Sequence, residues 1–176
     1  MSARAFTIRP ADKDDADALA DLMRALHAHL KEPTEHISPQ ALLRDVFAEA
    51  SAFTVLVAER GSEFIGYALF HETYESIYAQ RGAYMADLYV AESARRQGVA
   101  RALVAGVAAA AKARDLKFMW WVSEAWDENA QGFYASLGAT HDPFIAHALS
   151  FDAFEKLVQE GEGQSGGENG AGDKSK

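Results

Sequence analysis

The sequence predicts a mixed α/β sandwich in one domain, and three observations carry that prediction. Short β-rich runs alternate with longer stretches of helical periodicity along residues 5–160. Two of the β-rich runs are joined by Arg60-Gly61-Ser62, a hairpin signal that a purely parallel sheet lacks. Of the 176 residues 49% are apolar and 24% charged, which supplies a real core and excludes a wholly disordered chain.

Taken in order, residues 6–9 (Phe-Thr-Ile-Arg) open as a strand. Residues 12–30 form an amphipathic helix, with Asp12, Asp14 and Asp15 at the end where a helix favours negative charge. Leu19, Leu22, Met23, Leu26 and Leu30 recur at helical spacing, and Pro33 ends the run. Ser38-Pro39 is a cap followed by a first-turn proline, starting a helix to about residue 49. Residues 53–58 and 64–70 are the hairpin strands, 72–82 a loop, and 84–90 a third sheet segment. An alanine-rich helix over 98–114, a strand over 118–122 and a short helix over 127–137 follow, with Gly138 as its C-terminal cap. A strand over 144–151 and a helix over 152–160 close the domain. From Gly161 to Lys176 nothing apolar exceeds Ala171, so this glycine-rich tail is expected to be disordered. The domain organisation is thus 1–160 folded and 161–176 tail.

Composition narrows the function. There are 17 basic and 26 acidic residues, a net charge of −9, which is the wrong sign for a non-specific nucleic-acid binder. Cysteine is absent, so disulfides, thiolate metal sites and cysteine nucleophiles are excluded and a reducing, cytoplasmic setting is expected. The apolar stretch 102–111 is far short of the roughly 20 residues of a membrane span. His27 and His29 are two apart on a helix and point to different faces, so no metal is expected.

The chemistry concentrates in residues 87–103. A strand ends, a basic turn follows, and a helix opens at Gly98. A helix N-terminus offers free N–H groups and partial positive charge, and Gly98 and Ala100 let an anion approach the backbone. Arg95, Arg96 and Arg101 lie within seven positions of one another in an acidic chain. A phosphate-bearing ligand accounts for this; a solvated connection with exposed arginines is the plainer alternative.

Arg95-Arg96-Gln97-Gly98-Val99-Ala100 resembles the Arg/Gln-x-x-Gly-x-Gly/Ala motif of the GCN5-related N-acetyltransferases (GNAT). Ile8-Arg9-Pro10-Ala11 and, about 30 residues after the turn, Phe133-Tyr134-Ala135-Ser136-Leu137-Gly138-Ala139 extend the resemblance over residues 5–155. It implies a mostly antiparallel central sheet splayed at the cofactor strand, helices on both faces, and acetyl-CoA as co-substrate. By resemblance, Leu88, Tyr89 and Val90 pair with the pantetheine amides, and Arg95 to Arg101 (Arg96, Gln97, Gly98, Val99 and Ala100 between them) hold the pyrophosphate. Asp127, Ala130 and Tyr134 are the expected cofactor contacts of the later helix.

The resemblance makes Tyr134 the general acid, since a phenol of pKa about 10 beside the CoA sulfur can protonate the departing thiolate. An amine acceptor also needs a base, because an ammonium is only ~10⁻³ neutral at pH 7 and only the neutral form attacks. The candidates are Asp87, Glu124, Glu72 and Glu75, with Asp87 and Glu124 expected beside the cofactor. Trp120, Trp121 and Trp126 are candidate walls of the acceptor pocket.

Two positions depart from the pattern: Asp127 stands where the family usually has Asn, and Ala86 where the diamine, spermidine/spermine and thialysine branch has Glu. An ionised Asp cannot donate a hydrogen bond. The expected function is acetyl transfer to a primary amine of a small molecule in a ternary complex. The alternatives are a CoA-binding module without turnover and a protein N-terminal or lysine acetylase. A homodimer is implied by resemblance only.

Overall fold

The computed structural model describes residues 6–165. Among the described residues five strands form one sheet in the order β1-β2-β3-β4-β5: β1 (Thr7–Pro10), β2 (Phe53–Arg60), β3 (Glu63–Glu75), β4 (Gln80–Val90) and β5 (Met119–Trp120). Neighbours pair antiparallel except β4 and β5, which run parallel. The helices are α1 (Ala16–Leu30), α2 (Pro39–Asp45), α3 (Val99–Ala113), α4 (Glu128–Ser136) and α5 (Phe151–Ser165). The mixed α/β class expected from the sequence is the observed one.

Alternation along β2 explains how one sheet carries helices on both faces. Val55 and Val57 pack with Leu19, Leu22, Met23 and Leu26 of α1 and Leu42 of α2. Leu56 and Ala58 point the other way, into a core shared with Val99, Leu103, Val107 and Ala111 of α3. Capping fixes where the helices start. Asp12 accepts from the Asp14 N–H, and Asp15 accepts from the Asp12 N–H, leading through a 3₁₀ turn (Lys13–Asp15) into α1. Ser38 accepts from the Ala41 N–H, with Pro39 opening α2.

The unit comprising residues 1–137 holds this sheet, its two cores and helices α1 to α4. A second unit covers residues 138–176 and contains α5. The strand expected over 144–151 is absent: residues 141–150 have no regular structure, and Phe151 instead opens α5. Phe144 and Ile145 are 78% and 82% exposed, so neither burial nor a hydrogen-bonded neighbour holds that apolar run extended. Helix α5 also continues past Gly161 to Ser165, where composition places the start of a disordered tail. The remainder of that tail, 166–176, lies outside the described residues.

A second correction falls at the expected loop 72–82. The β3–β4 ladder runs out to Glu75 opposite Gln80, leaving only a tight turn at the tip. Along residues 71–75 exposed Glu72 and Tyr74 alternate with half-buried side chains and none is fully buried, so no core face marks the strand in the sequence. The expected strand 118–122 contracts to Met119 and Trp120.

Candidate active site

Strands β4 and β5 touch only at Ala83 with Met119 and Tyr84 with Trp120. From Met85 to Val90, β4 therefore runs on with no β5 partner, a strand edge left without a ladder on that side. Leu88, Tyr89 and Val90 form the end of this free edge. An extended amide-bearing chain can pair with such an edge as an added strand.

One irregularity decides which way Asp87 points. Phe70 pairs with Met85 and Leu69 with Asp87, so Ala86 is an extra, bulged residue on β4. Without it, Asp87 would share Met85's face and enter the α3-side core. The bulge instead moves Asp87 to the opposite face. There Tyr67, wholly buried, donates its hydroxyl proton to Asp87 Oδ2 at 2.9 Å. Burial raises the Asp87 carboxyl above the usual carboxylate range; the Tyr67 hydrogen bond and His27 pull it down, and Glu32 pushes it up. Burial and the Asp87 charge likewise push the Tyr67 phenol far upward. His27 Nδ1 lies 2.6 Å from Glu32 Oε2, so a His–Glu pair sits at the C-terminal end of α1 beside Asp87. Sequence reasoning missed Tyr67, His27 and Glu32, because only sheet register and helix packing bring them to Asp87.

The turn after β4 combines left-handed backbone, open space and free N–H groups. Arg96 and Gly98 both take left-handed backbone, with φ of 61° and 86°. A Cβ on Gly98 would meet nothing within 4 Å, so the space before the helix is open to a ligand. The Ala102 N–H reaches the Gly98 carbonyl at 3.0 Å; the Val99, Ala100 and Arg101 N–H groups ahead of it have no intrahelical acceptor. Gln97 braces the turn, donating to the Ser93 carbonyl at 2.8 Å and accepting from Arg60 at 2.7 Å. Arg95 donates to the Val90 carbonyl at 3.0 Å and lies 6.0 Å above the Tyr89 ring. Among the described residues no carboxylate pairs with Arg96 or Arg101. Open space, free N–H groups and the Arg96 cation fit the pyrophosphate of acetyl-CoA.

Tyr134, on α4, is half-buried against the α3-side core, its ring 5.0 Å from that of Trp121 and 5.2 Å from that of Phe133. Burial, with the Asp127 charge adding, pushes its phenol up to about 12. Asp127 caps α4, its Oδ1 accepting from the Ala130 N–H at 2.9 Å, while Oδ2 lies 3.9 Å from His29. The helix-starting role usual for Asn is therefore filled by Asp127, and the Ala130 N–H is committed to that cap.

Other candidates are not drawn together. Glu72 pairs with Arg81 at 3.2 Å on the outer hairpin, and Glu75 faces the Ile77 N–H at its tip. At about 3.3 Å per residue, Glu72 sits roughly 13 Å and Glu75 more than ~20 Å along the sheet from Asp87. Glu124 is exposed in the segment after β5. Trp121 belongs to the core contact with Tyr134, Trp120 packs tilted against Tyr84 with ring centroids 4.6 Å apart, and Trp126 lies exposed, 6.1 Å from His29.

Comparison with known proteins gives this architecture its class. An integron cassette protein from the mobile metagenome of V. cholerae superposes with a TM-score of 0.74 at 23% identity, over 89% of this chain and 99% of its own. An aminoglycoside acetyltransferase from an uncultured soil metagenomic sample superposes at 0.69 with 19% identity, over 83% and 95%. The fold is that of these two solved structures. The Acetyltransferase (GNAT) family model matches residues 19–139, well over half of the chain, and the protein belongs to that family. It is an acetyl-CoA-dependent N-acetyltransferase. The thialysine N-epsilon-acetyltransferase of Bos taurus is 30% identical over 141 residues, covering 75% of this chain and 82% of that protein. The family resemblance carried by the turn and the Tyr134 helix is borne out. Among the described residues no helix is long and apolar enough to cross a membrane.

Proposed function

We propose that the protein acetylates a primary amine of a small molecule by direct attack within a ternary complex. The observation that carries this reading is the open β4 edge, with the anion-binding turn at one end and the bulge-directed Asp87 beside it. Acetyl-CoA supplies a thioester-activated acetyl group. The free edge at Leu88 to Val90 and the N–H groups of the turn hold it. Asp87 takes the proton lost by the attacking ammonium, directly or through water, and so keeps the nitrogen lone pair available. As the C–N bond forms and the C–S bond breaks, Tyr134 gives its proton to the departing sulfur, and the second proton leaving the acylated nitrogen restores the Tyr134 phenol through water. A phenol held near pKa 12 is fully protonated at working pH, as that role needs. Asp87 is favoured over Glu124 because it is half-buried and hydrogen-bonded, whereas Glu124 is exposed.

The acceptor class follows from charge and likeness together. Asp87 and Glu32 give the α1 side of the cleft negative character, which suits a cationic amine, and a relative of similar length acts on thialysine by its name. Catalysis is assigned to residues 1–160, with a cytoplasmic setting in keeping with the absence of cysteine and a homodimer by family likeness alone. The test is thiol release from acetyl-CoA with diamines, polyamines, lysine analogues, aminoglycosides and peptides. Turnover on a small amine is the expected result. Turnover on peptides alone indicates a protein acetylase, and tight CoA binding without turnover on any amine indicates a binding module.

A further inference from the structure

Arg101 belongs to the phosphate turn by sequence, yet its side chain is engaged elsewhere. Its Nη2 donates to the Ser136 carbonyl at 2.9 Å, with Ser136 Oγ at 3.4 Å. Ser136 lies in the last turn of α4, two residues after Tyr134. That turn is tied internally by Ser136 Oγ donating to the Phe133 carbonyl at 2.6 Å and by the Leu137 N–H reaching the Tyr134 carbonyl at 3.0 Å.

The contact matters because it holds the C-terminal end of α4, whereas Asp127, Gln131 and the Tyr134–Trp121 packing hold its start and middle. It is nine residues long and none of them is fully buried. Its N-terminus is held by Asp127; at the C-terminus, the negative end of the helix dipole, the Phe133 and Tyr134 carbonyls are bonded within the turn and the Ser136 carbonyl accepts from Arg101. A guanidinium donating there makes a charge-assisted bond, stronger than a neutral one. The Arg101 main chain, meanwhile, sits in the first turn of α3, among the free N–H groups.

We infer that Arg101 is a positioning residue for Tyr134: its side chain clamps the end of α4 while its backbone forms part of the phosphate seat. One residue thus links the seat to the acid, and the basic cluster contributes an arginine to geometry rather than to phosphate charge. This rests on the reading of Tyr134 as the acid.

A double-mutant cycle tests it, with acetyl-CoA and the best acceptor from the amine panel. Arg101→Met keeps the backbone N–H and the aliphatic stem. It should lower kcat about tenfold while acetyl-CoA affinity by calorimetry changes less than about threefold. In the Tyr134→Phe background the same change should cost less than about twofold, because the group being positioned is gone. Arg101→Lys, which can still donate to a carbonyl, should regain most of the lost rate, and amides of α4 should exchange faster in Arg101→Met than in wild type. Equal losses in both backgrounds would overturn the proposal, as would weakened acetyl-CoA binding with kcat retained. A Tyr134→Phe enzyme as fast as wild type overturns the acid reading and this inference together. Slow Tyr134→Phe with unimpaired Arg101→Met overturns only the inference.

Discussion

Gly98→Ala separates the two demands placed on the phosphate turn. Gly98 sits at φ 86°, a region an L side chain enters at a cost of about 1–2 kcal/mol. Nothing lies within 4 Å of the added Cβ, so no clash with the protein adds to that figure. At about 2–4 °C per kcal/mol for a chain of this size, the melting temperature should fall by about 2–8 °C. Ligand binding should suffer separately. The methyl group projects into the space where a phosphate must come within about 3 Å of the backbone N–H groups. A tenfold or greater loss of acetyl-CoA affinity, about 1.4 kcal/mol, is therefore expected beyond the stability effect. Thermal melts without ligand read the first quantity and calorimetry with acetyl-CoA the second, at a temperature well below both transitions. Wild-type affinity in a variant that melts lower would refute the assignment of the turn. An unchanged melting temperature would refute the strain argument.

Further outcomes follow from the cleft and its supports. Asp87 has a folded pKa raised above its unfolded value, so the native state is favoured by protonation, and stability is lost as pH rises from the ordinary carboxylate value through the raised one. Asp87→Asn should therefore melt higher than wild type at pH 7, with the advantage vanishing below about pH 4, while kcat falls and the acidic limb of the pH–rate profile disappears. Retention of that limb would show that another group is the base. Gly66→Ala places a Cβ 2.6 Å from the Tyr89 carbonyl oxygen, on backbone that cannot swing aside. Denaturant unfolding should show a loss of about 1–3 kcal/mol, accompanied by weaker acetyl-CoA binding because the free β4 edge is displaced.

The parts of this protein legible in its sequence are those decided locally. Periodicity in Leu19 to Leu30 and capping chemistry at Asp12, Ser38 and Asp127 set the helices, and all three caps are made as their residue types predict. The turn at Arg96 to Gly98 was legible as a basic turn that opens a helix at a glycine, and Gly98 there takes left-handed backbone. What escaped depends on register. Ala86 reads as a lost carboxylate, but the ladder makes it the bulge that turns Asp87 over to Tyr67, twenty residues away in the chain. Arg101 reads as one more cation, and only the packing of α3 beside α4 gives its side chain a carbonyl. The outer β3–β4 hairpin and the segment 141–150 were misread for opposite reasons: the first is a ladder without an apolar face, the second an apolar run without a ladder.

The account turns on Tyr134 acting as the acid in acetyl transfer to a small amine, and kcat for thiol release by Tyr134→Phe tests it most directly. Ring packing against Trp121 and Phe133 is kept in this variant, so acetyl-CoA affinity should hold. The account predicts a kcat lower by about 10²-fold or more from pH 6 to 9. A rate equal to wild type across that range would contradict it.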